Sequence, residues 1–323
     1  MKKVLITGCA GFIGFSFAYN FLKKKNYIVY GIDSIDSYYS RKLKFLRLRK
    51  LKNKKFIFFK LNIKNIKKLK KKLKYINFDY VFHFAAQAGV RYSLINPKKY
   101  LESNILGTLN LLEILKFKKI KKIFIASSSS VYGDNSKLPT KESSKLKPKS
   151  FYAESKLITE LLGKYYAKIF NLNICILRFF TLYGKWGRPD MFLFRLFKSF
   201  IKNNFFYLNN KGNHQRDFTY IDDAIKIILN LMNLKEKKKY NTYNICSSNP
   251  VDLRDIISYF SNRYGQIKIK LLNKNKLDVN KTYGSNSKVL KKINFKKKSL
   301  SNIYISLNKV FEWYYKNRIY KLS

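Results

Sequence analysis

Residues 4–14 read Val-Leu-Ile-Thr-Gly-Cys-Ala-Gly-Phe-Ile-Gly, and this segment carries the strongest indication of the fold class. Its apolar start predicts a strand that is buried on both faces, as strands of parallel sheets are. The spacing of Gly8, Gly11 and Gly14 predicts a tight turn from this strand into a helix. Because a strand, a glycine turn and a helix begin a βαβ unit, we expect a parallel sheet.

The rest of the first half repeats this alternation. Strands are predicted over residues 4–7, 27–33, 56–62, 80–86, 122–127 and 173–179, and helices over 12–25, 63–73, 97–117 and 151–170. This order predicts an α/β fold, namely a Rossmann-type doubly wound parallel sheet with a smaller C-terminal substrate-binding domain. The first domain is expected over residues 1–180 and the second over 181–323, either separate or interleaved. Ligands of such sheets bind at the carboxyl ends of the strands.

The glycine turn also indicates a ligand. Such a turn lets the backbone approach a pyrophosphate, which then lies at the helix N-terminus. Asp33 ends the next predicted strand, about 20 residues beyond the turn, where an acidic residue holds the adenosine ribose of NAD. Because this carboxylate repels the extra phosphate of NADP, the sequence predicts NAD as the cofactor. The alternative is a glycine triplet that serves tight packing only.

A second cluster follows the fifth predicted strand. A serine run at 127–130 ends that strand, and Tyr152 and Lys156 follow with i, i+4 spacing on a predicted helix, which places them on one face. An ammonium beside a phenol favours the phenolate, so we expect the Tyr152 pKa to fall below about 10. With a hydroxyl of the serine run, this set predicts a site that oxidises an alcohol. The alternative is that Tyr152 is a core residue of an amphipathic helix.

The charge of the chain indicates a different partner at first sight. Its 323 residues contain 68 Lys and Arg against 18 Asp and Glu, for a formal net charge of +50. A nucleic-acid partner is one interpretation. However, the cations are mostly scattered lysines and accompany abundant Asn, Ile, Phe and Tyr, as an AT-rich coding sequence produces. We therefore expect no specific nucleic-acid binding, although the charge would steer a negative substrate.

The sequence lacks the residue patterns of a disulfide framework, a metal site or a membrane span. Cys9, Cys175 and Cys246 are odd in number and widely spaced, and the chain has two histidines. Neither a disulfide framework nor a metal site is expected from them. No apolar run reaches the length of about 18 residues that spans a bilayer. We therefore expect no membrane association and a cytoplasmic location.

With these motifs the chain resembles the extended short-chain dehydrogenase/reductases, and within them the nucleotide-sugar epimerases. The matching segments are 7–14, 83–91 (His-Phe-Ala-Ala-Gln-Ala-Gly-Val-Arg), 127–133, 152–156, 178–190 and 215–223. The resemblance implies the catalytic residues Tyr152, Lys156 and Ser128. It implies an NAD site made of Gly8, Gly11, Phe12, Ile13, Gly14, Asp33, Asn62, Phe84, Ala85, Ala86, Asn104, Tyr152, Lys156 and Phe179. It implies a UDP-sugar site made of Arg91, Ser129, Ser130, Thr181, Arg188, Arg216 and Asp278.

Two segments of the chain distinguish between the activities and substrates found within this family. Dehydratases and decarboxylases carry an acidic residue just before their Val-Tyr-Gly sequence. This chain has Ser129 and Ser130 at that place, so the acid for an elimination is missing and epimerisation is favoured. Galactose-type epimerases usually have Asn where this chain has Thr181, and they lack an arginine like Arg188. The string 181–191 looks like the UDP-glucuronate 4-epimerases, in which Arg188 would grip the sugar carboxylate. The alternative for Arg188 is a loop salt bridge with Asp190.

The resemblance therefore implies 4-epimerisation of UDP-glucuronate to UDP-galacturonate through a 4-keto sugar. A neutral UDP-hexose or a UDP-N-acetylhexosamine remains an alternative substrate. A dehydratase, a decarboxylase and a non-catalytic NAD-binding protein are the remaining alternatives.

Two further expectations come from the family. Asn62 stands where an Asp commonly meets the adenine, so adenine binding should be weaker or altered. The helices at 97–117 and 151–170 would form a four-helix contact in a homodimer.

Overall fold

The computed structural model describes residues 1–134, 137–273 and 277–322. The strands are β1 (Lys2–Thr7), β2 (Tyr27–Asp33), β3 (Phe56–Lys60), β4 (Tyr80–His83), β5 (Lys122–Ser128), β6 (Ile174–Phe179), β7 (Thr181–Tyr183), β8 (Phe206–Leu208), β9 (Gln215–Tyr220), β10 (Tyr240–Ile245), β11 (Pro250–Asp252) and β12 (Ile269–Leu271).

The α-helices are α1 (Phe12–Leu22), α2 (Arg41–Leu51), α3 (Ile66–Leu73), α4 (Tyr92–Ile95), α5 (Pro97–Tyr100), α6 (Gly107–Leu115), α7 (Phe151–Ile169), α8 (Phe192–Ile201), α9 (Ile221–Asn233), α10 (Leu253–Tyr264), α11 (Ser287–Lys292) and α12 (Ile303–Lys316). A π-helix, Leu101–Leu106, joins α5 to α6. Short 3₁₀ turns cover Ser129–Tyr132, Asn209–Gly212, Lys297–Ser299 and Ile319–Lys321.

The main layer is a seven-stranded sheet in the order β10-β6-β5-β4-β1-β2-β3, in which neighbouring strands run parallel. This order confirms the predicted doubly wound α/β fold. The direction of winding reverses beside β1, which pairs with β2 on one side and with β4 on the other. A crevice at the carboxyl ends of β1 and β4 is therefore where a ligand is expected.

The second half of the chain builds a smaller layer and also returns to the first. Two small sheets, β11-β9-β7 and β12-β8, lie beside α8, α10 and α12. Their core is aromatic: the Phe197 ring lies 5.5 Å from that of Phe260 and 5.1 Å from that of Phe311. In contrast, β10 joins the main sheet and α9 packs against α1. Segments that follow residue 180 therefore contribute a strand and a helix to the main layer as well as forming the smaller one.

Several elements differ from their predicted bounds. Helix α2 was not predicted, because its buried face includes Lys44 and Arg47 beside Leu43 and Leu51. The predicted helix at 97–117 is interrupted by the π-helix. The predicted helix at 63–73 starts only at Ile66, since the Asn65 side chain caps it by accepting a hydrogen bond from the Lys68 nitrogen. The third and fourth strands end at Lys60 and His83, earlier than expected.

Every helix in the described ranges is too short or too polar to cross a bilayer. Within those same ranges, no group of three or more His, Cys, Asp or Glu residues is arranged to hold a metal ion.

Candidate active site

The glycine turn packs the start of α1 directly against backbone. Gly8 has a φ of +72°, and a Cβ atom there would lie 2.8 Å from the Ala85 nitrogen. A Cβ atom at Gly14 would lie 2.2 Å from the Gly8 carbonyl oxygen. Since any side chain at these positions would collide with backbone, only glycine fits. The turn therefore leaves bare backbone at the carboxyl end of β1.

The first turn of α1 faces this crevice without a side-chain cap. Gly11 holds the N-cap position, and no acidic residue lies in the first turn. The N–H groups that open an α-helix, here those of Phe12, Ile13 and Gly14, have no intrahelical partners and carry the positive end of the helix dipole. This cradle fits the pyrophosphate of a dinucleotide.

Asp33 lies beside the cradle at the end of β2. Its Oδ2 accepts a hydrogen bond from the Ala10 nitrogen at 3.0 Å, and its Oδ1 accepts one from the Ile35 nitrogen at 2.8 Å. The carboxylate is thereby fixed, and it keeps lone pairs for ribose hydroxyls. Asn62 is exposed, and its Oδ1 accepts a hydrogen bond from the Lys64 nitrogen at 3.0 Å. The carbonyl expected to meet adenine is thus engaged within its own turn.

Phe84, Ala85 and Ala86 form a wall that follows β4. The Phe84 nitrogen donates to the Thr7 carbonyl, and the Ala85 nitrogen donates to Thr7 Oγ1, each at 3.2 Å. The Phe179 ring, at the end of β6, lies 6.2 Å from the Phe84 ring. These expected cofactor contacts therefore lie together beside the glycine turn.

Asn104 lies behind this wall, inside the π-helix. Its Oδ1 accepts a hydrogen bond from the Gln87 nitrogen at 2.7 Å, and its Nδ2 donates to the Gln87 carbonyl at 3.1 Å and to Ser155 Oγ at 2.8 Å. Its amide joins the segment after β4 to α7. Single-turn π segments are frequent at functional sites, and this one orients Asn104.

His83 supports the wall from the sheet, a role that sequence reasoning missed. Its Nδ1 lies 2.7 Å from Thr7 Oγ1 and its Nε2 lies 2.9 Å from Thr108 Oγ1. Burial lowers the pKa of His83 to about 3, and the charge of Lys156 contributes. The ring is therefore neutral at physiological pH. The pairing partners lie far apart in sequence, so only the fold brings them together.

Tyr152 lies in the first turn of α7, which the Ser150 side chain caps. Burial raises the pKa of Tyr152 above its usual value, while the Ser128 hydroxyl and the Arg188 charge lower it in part. The expected fall in this pKa is therefore wrong, because desolvation of the phenolate exceeds the two favourable contacts. The structure nevertheless brings all three side chains to one place.

Lys156 follows one turn later on α7, and its ammonium binds backbone. Its Nζ donates to the Ala126 carbonyl of β5 at 2.9 Å. Burial lowers the pKa of Lys156 to about 8, and the negative charge of Glu160 opposes this shift. Glu160 is itself held by Arg178, whose Nη2 donates to Glu160 Oε2 at 2.7 Å. The ammonium is thus fixed by the sheet, which sequence spacing alone did not indicate.

The serine hydroxyls cluster at the end of β5. Ser128 Oγ donates to Ser130 Oγ at 3.1 Å and accepts a hydrogen bond from the Ser130 nitrogen at 3.2 Å. Ser129 and Ser130 begin the 3₁₀ turn that follows, and both are half-buried. The serine run therefore places several hydroxyls at the strand end that faces Tyr152.

Thr181 and Arg188 line one pocket beside this cluster. Arg188 Nε donates to Asp190 Oδ1 at 3.0 Å, and Arg188 Nη2 pairs with Asp190 Oδ2. Burial opposes the charge of the guanidinium, yet the Asp190 carboxylate holds the Arg188 pKa above its usual value. The loop salt bridge considered above is present, and the same guanidinium acts electrostatically on Tyr152.

Arg91, Arg216 and Asp278 form a charged cluster farther out. Arg91 Nη2 donates to Asp278 Oδ2 at 2.6 Å, and Arg216 Nη1 donates to the Asn280 carbonyl at 2.9 Å. Burial lowers the pKa of Arg216 to about 10, while Asp278 opposes that shift. These three residues of the expected UDP-sugar site therefore lie together.

Arg195 of α8 joins this cluster and was missed from the sequence. Its Nη2 donates to the Tyr207 carbonyl at 3.1 Å. Burial lowers the Arg195 pKa, and the nearby charge of Arg91 lowers it further. The available signal was an arginine within the apolar run 192–197.

Comparisons with known proteins agree with this geometry. The chain matches the NAD dependent epimerase/dehydratase family over residues 4–246. It is 38% identical over 300 residues to a UDP-glucuronate 4-epimerase of Thermodesulfobacterium geofontis, covering 91% of each chain. It is 37% identical to protein CapI of Staphylococcus aureus over 330 residues, covering 97% of this chain and 98% of CapI.

A solved structure shows the same fold. The UDP-glucuronic acid 4-epimerase of Bacillus cereus, in complex with UDP-glucuronic acid and NAD, superposes with a TM-score of 0.90 at 31% sequence identity. The match covers 97% of this chain and 99% of the other. From the glycine cradle, the tyrosine and lysine of α7 and these matches together, the chain belongs to the NAD dependent epimerase/dehydratase family, within the extended short-chain dehydrogenase/reductases.

Proposed function

We propose that this chain is an NAD-dependent 4-epimerase that converts UDP-glucuronate into UDP-galacturonate. The observation that carries the proposal is the Arg188 guanidinium, which lines a pocket with Thr181 and whose charge opposes the rise that burial causes in the Tyr152 pKa. A sugar whose C4 hydroxyl meets Tyr152 would present the carboxylate on C5 toward this cation. The relatives that act on UDP-glucuronate support the same substrate.

The cradle residues would hold the cofactor. The turn from Gly8 to Gly14 would hold the pyrophosphate, Asp33 the adenosine ribose, and the wall of Phe84, Ala85, Ala86 and Phe179 the rest. Bound there, NAD would supply reversible hydride transfer at C4 of the sugar and would add a positive charge to the site.

Tyr152 would handle the proton of the C4 hydroxyl. As a phenolate, its oxygen accepts that proton when the alcohol becomes a ketone, and it returns the proton when the alcohol re-forms. Because burial raises the Tyr152 pKa, the phenolate depends on positive charge gathered around it. Arg188 supplies such charge from this chain, and Lys156 lies one helical turn away. To assist the reaction, the Ser128 hydroxyl would turn from Ser130 and donate its hydrogen bond to the C4 oxygen of the sugar.

The arginine cluster would bind the UDP end of the substrate. Arg91, Arg195 and Arg216 offer planar guanidinium groups, which suit phosphate oxygens. Asp278 would face the nucleotide end. This grip lies away from the reacting carbon, so the sugar ring can turn over while the diphosphate stays bound.

The sugar carboxylate needs its own restraint. The 4-keto form of glucuronate is a β-keto acid, and such acids lose carbon dioxide when the bond to the carboxylate aligns with the carbonyl π system. Arg188, Thr181 and the hydroxyls of Ser129 and Ser130 would hold the carboxylate out of that alignment. Epimerisation rather than decarboxylation then follows from this restraint.

One observation favours a second candidate, a neutral UDP-hexose as substrate. Asp190 already neutralises much of the Arg188 charge through a two-point contact. A site whose cation is balanced in this way accepts an uncharged sugar at lower electrostatic cost than an unbalanced one would.

A panel of UDP-sugars followed by proton NMR of the sugar ring separates these candidates. We expect conversion of UDP-glucuronate to UDP-galacturonate, with little turnover of UDP-glucose or UDP-N-acetylglucosamine. Preferred turnover of UDP-glucose would replace the proposal by the second candidate. No turnover of any UDP-sugar, with NAD bound, would leave a non-catalytic NAD-binding protein.

We also propose that the protein is a homodimer. Leu161, Tyr165 and Ile169 repeat at i, i+4 on the outer face of α7, and their exposed fractions are 56%, 55% and 54%. Leu101 and Leu106 of the neighbouring π-helix are exposed as well. Adjacent exposed apolar side chains on two helices are typical of a subunit contact.

A cytoplasmic location belongs to the same proposal. Cys9, Cys175 and Cys246 are all buried and unpaired. Free thiols of this kind suit a reducing compartment.

A further inference from the structure

We propose that Arg47 is a positioning residue that joins the glycine turn to the loop carrying Arg188, and that it thereby sets selectivity for a carboxylated sugar. This inference rests on the proposed function, because it concerns the placement of the group that meets the sugar carboxylate. It adds a residue of α2, an element that none of the sequence motifs includes.

The Arg47 guanidinium binds the two loops at once. Its Nη1 donates to the Ala10 carbonyl of the glycine turn at 2.9 Å. Its Nη2 donates to the carbonyl oxygens of Trp186 at 2.5 Å and of Gly187 at 3.0 Å. The next residue after this pair of carbonyls is Arg188. The planar Arg47 guanidinium thus fixes the glycine turn and the loop carrying Arg188 relative to each other.

The way in which Arg47 is buried argues for a positioning role. Its side chain is fully buried, yet in the described part of the chain it forms no ion pair with an acidic side chain. Its Nε also lacks a hydrogen-bond partner there. A buried charge is costly unless it is compensated, and here the compensation comes from three loop carbonyls and the Tyr39 hydroxyl, which accepts from Nη1 at 2.7 Å.

The loop needs such a restraint because its backbone is strained. Trp186 has a φ of +65°, a left-handed conformation that bulky residues rarely adopt. Its ring is wedged between Phe15 of α1, at a centroid distance of 5.3 Å, and Trp313 of α12, at 5.0 Å. The Arg47 hydrogen bonds to its carbonyl and to the next one hold this conformation.

Arg188 directly follows this fixed backbone, and its side chain lies beside the segment that leads into α2, the helix that carries Arg47. Its guanidinium carbon lies 5.7 Å from the centre of the Tyr38 ring, and the Tyr38 hydroxyl donates to Asp190 at 3.3 Å. Tyr38 and Tyr39 both belong to the segment that leads into α2. A shift of the loop carbonyls would therefore move Arg188 relative to Asp190 and to Tyr152.

Arg47→Lys is the decisive variant, because it keeps the positive charge but cannot reach all of these carbonyls from one ammonium. The dissociation constants of UDP-glucuronate and UDP-glucose are measured by calorimetry on the NAD-loaded protein. We expect the UDP-glucuronate constant to rise by roughly tenfold more than the UDP-glucose constant, the worth of about one charged hydrogen bond. An equal change in both constants would overturn the proposal.

A double-variant cycle tests whether Arg47 acts through Arg188. In an Arg188→Ala background, Arg47→Lys should produce no further change in the ratio of the two constants. The same loss of ratio in both backgrounds would show that Arg47 acts by another route and would overturn the proposal. Lys122→Met is the control for the loss of a buried cation remote from the site, because Lys122 Nζ donates to the carbonyls of Leu231 and Leu234 and pairs with the buried Glu236. It should lower stability and leave the ratio unchanged.

If Arg47→Lys does not fold, Tyr39→Phe keeps the proposal testable. It removes one acceptor of Arg47 and leaves the guanidinium in place, so the ratio should fall in the same direction by a smaller factor. An unchanged ratio in this variant would then overturn the proposal. Failure of the proposed function would appear differently, as preferred binding and turnover of UDP-glucose by the unmutated protein.

Discussion

Asp190 engages two of the three nitrogens of the Arg188 guanidinium. Its Oδ1 accepts from Nε at 3.0 Å and its Oδ2 pairs with Nη2, whereas Nη1 makes no hydrogen bond within the described residues. The carboxylate therefore fixes the plane of the guanidinium and leaves one amino group open. A fork held on one side in this way can offer the other side to a second carboxylate.

Arg188→Ala should change substrate preference more than folding. A charged hydrogen bond is worth roughly 1.5–3 kcal/mol, so kcat/KM on UDP-glucuronate should fall at least about tenfold. A neutral UDP-hexose should be affected much less, and some 4-keto-pentose product should be released, because the carboxylate is no longer restrained. Arg263→Ala on the surface is the control. Equal slowing of both substrates would show that Arg188 does not meet the carboxylate.

Tyr152→Phe should leave folding and NAD binding intact and remove nearly all epimerisation. The proposed base is the phenolic oxygen, and the ring alone supplies packing. Tyr165→Phe, on the exposed face of the same helix, is the control and should keep full activity. Near-normal turnover by the Tyr152 variant, measured by NMR of the sugar protons, would sink the proposed mechanism.

His83 should make the fold sensitive to acid. Burial lowers its folded pKa to about 3, whereas an unfolded histidine titrates near 6.5. Between these values the unfolded state binds more protons than the folded state. The contribution of neutral His83 to the free energy of unfolding is therefore fully present above about pH 6.5 and is lost as the pH falls toward 3. The slope from this one group approaches roughly 1.4 kcal/mol per pH unit.

The measurement is denaturant unfolding of the native protein and of His83→Asn at several pH values. The variant should be less stable at pH 7, because it loses a contact to Thr7 or Thr108, but its stability should fall less steeply below pH 6. Parallel pH curves for the two proteins would contradict a neutral, buried His83.

The outer face of α7 should mediate dimerisation. Leu161→Glu combined with Ile169→Glu places two carboxylates in the expected contact, and sedimentation should show a monomer where the native protein is a dimer. Tyr75→Glu, at another exposed apolar position, should leave the dimer intact. A native protein that is strictly monomeric at micromolar concentration would reject this contact.

The parts of the fold that follow from local pattern were predictable. The apolar runs, the glycine turn and the alternation of elements predicted the parallel sheet and the carboxyl-end location of the motifs. Helix α2 escaped because two of its buried positions are Lys44 and Arg47, so its sequence lacks an apolar stripe. Arg47 is buried because the glycine turn and the 186–187 loop supply carbonyls to it, and Lys44 is buried because the Asp36 carbonyl accepts from its Nζ. Neither set of partners can be read from the sequence of the helix.

The candidate site also combines features that local sequence predicts with features that depend on tertiary contacts. Spacing placed Tyr152 and Lys156 on one helix face, but it could not give the balance between burial and nearby charge that sets the Tyr152 pKa. The closeness of Arg188 and Asp190 in the sequence suggested their salt bridge, but only the fold shows that the charge of Arg188 acts on Tyr152. Arg195 and His83 were missed because their partners come from distant segments.

The proposed reaction oxidises and then reduces C4 of the sugar and retains the carboxylate. The most direct measurement uses UDP-glucuronate that carries deuterium at C4, incubated with the NAD-loaded protein in ordinary water and analysed by NMR and mass spectrometry. We expect UDP-galacturonate with the deuterium still on C4 and no release of carbon dioxide. Loss of the label to water, a pentose product from the unmutated protein, or no conversion of this substrate would contradict it.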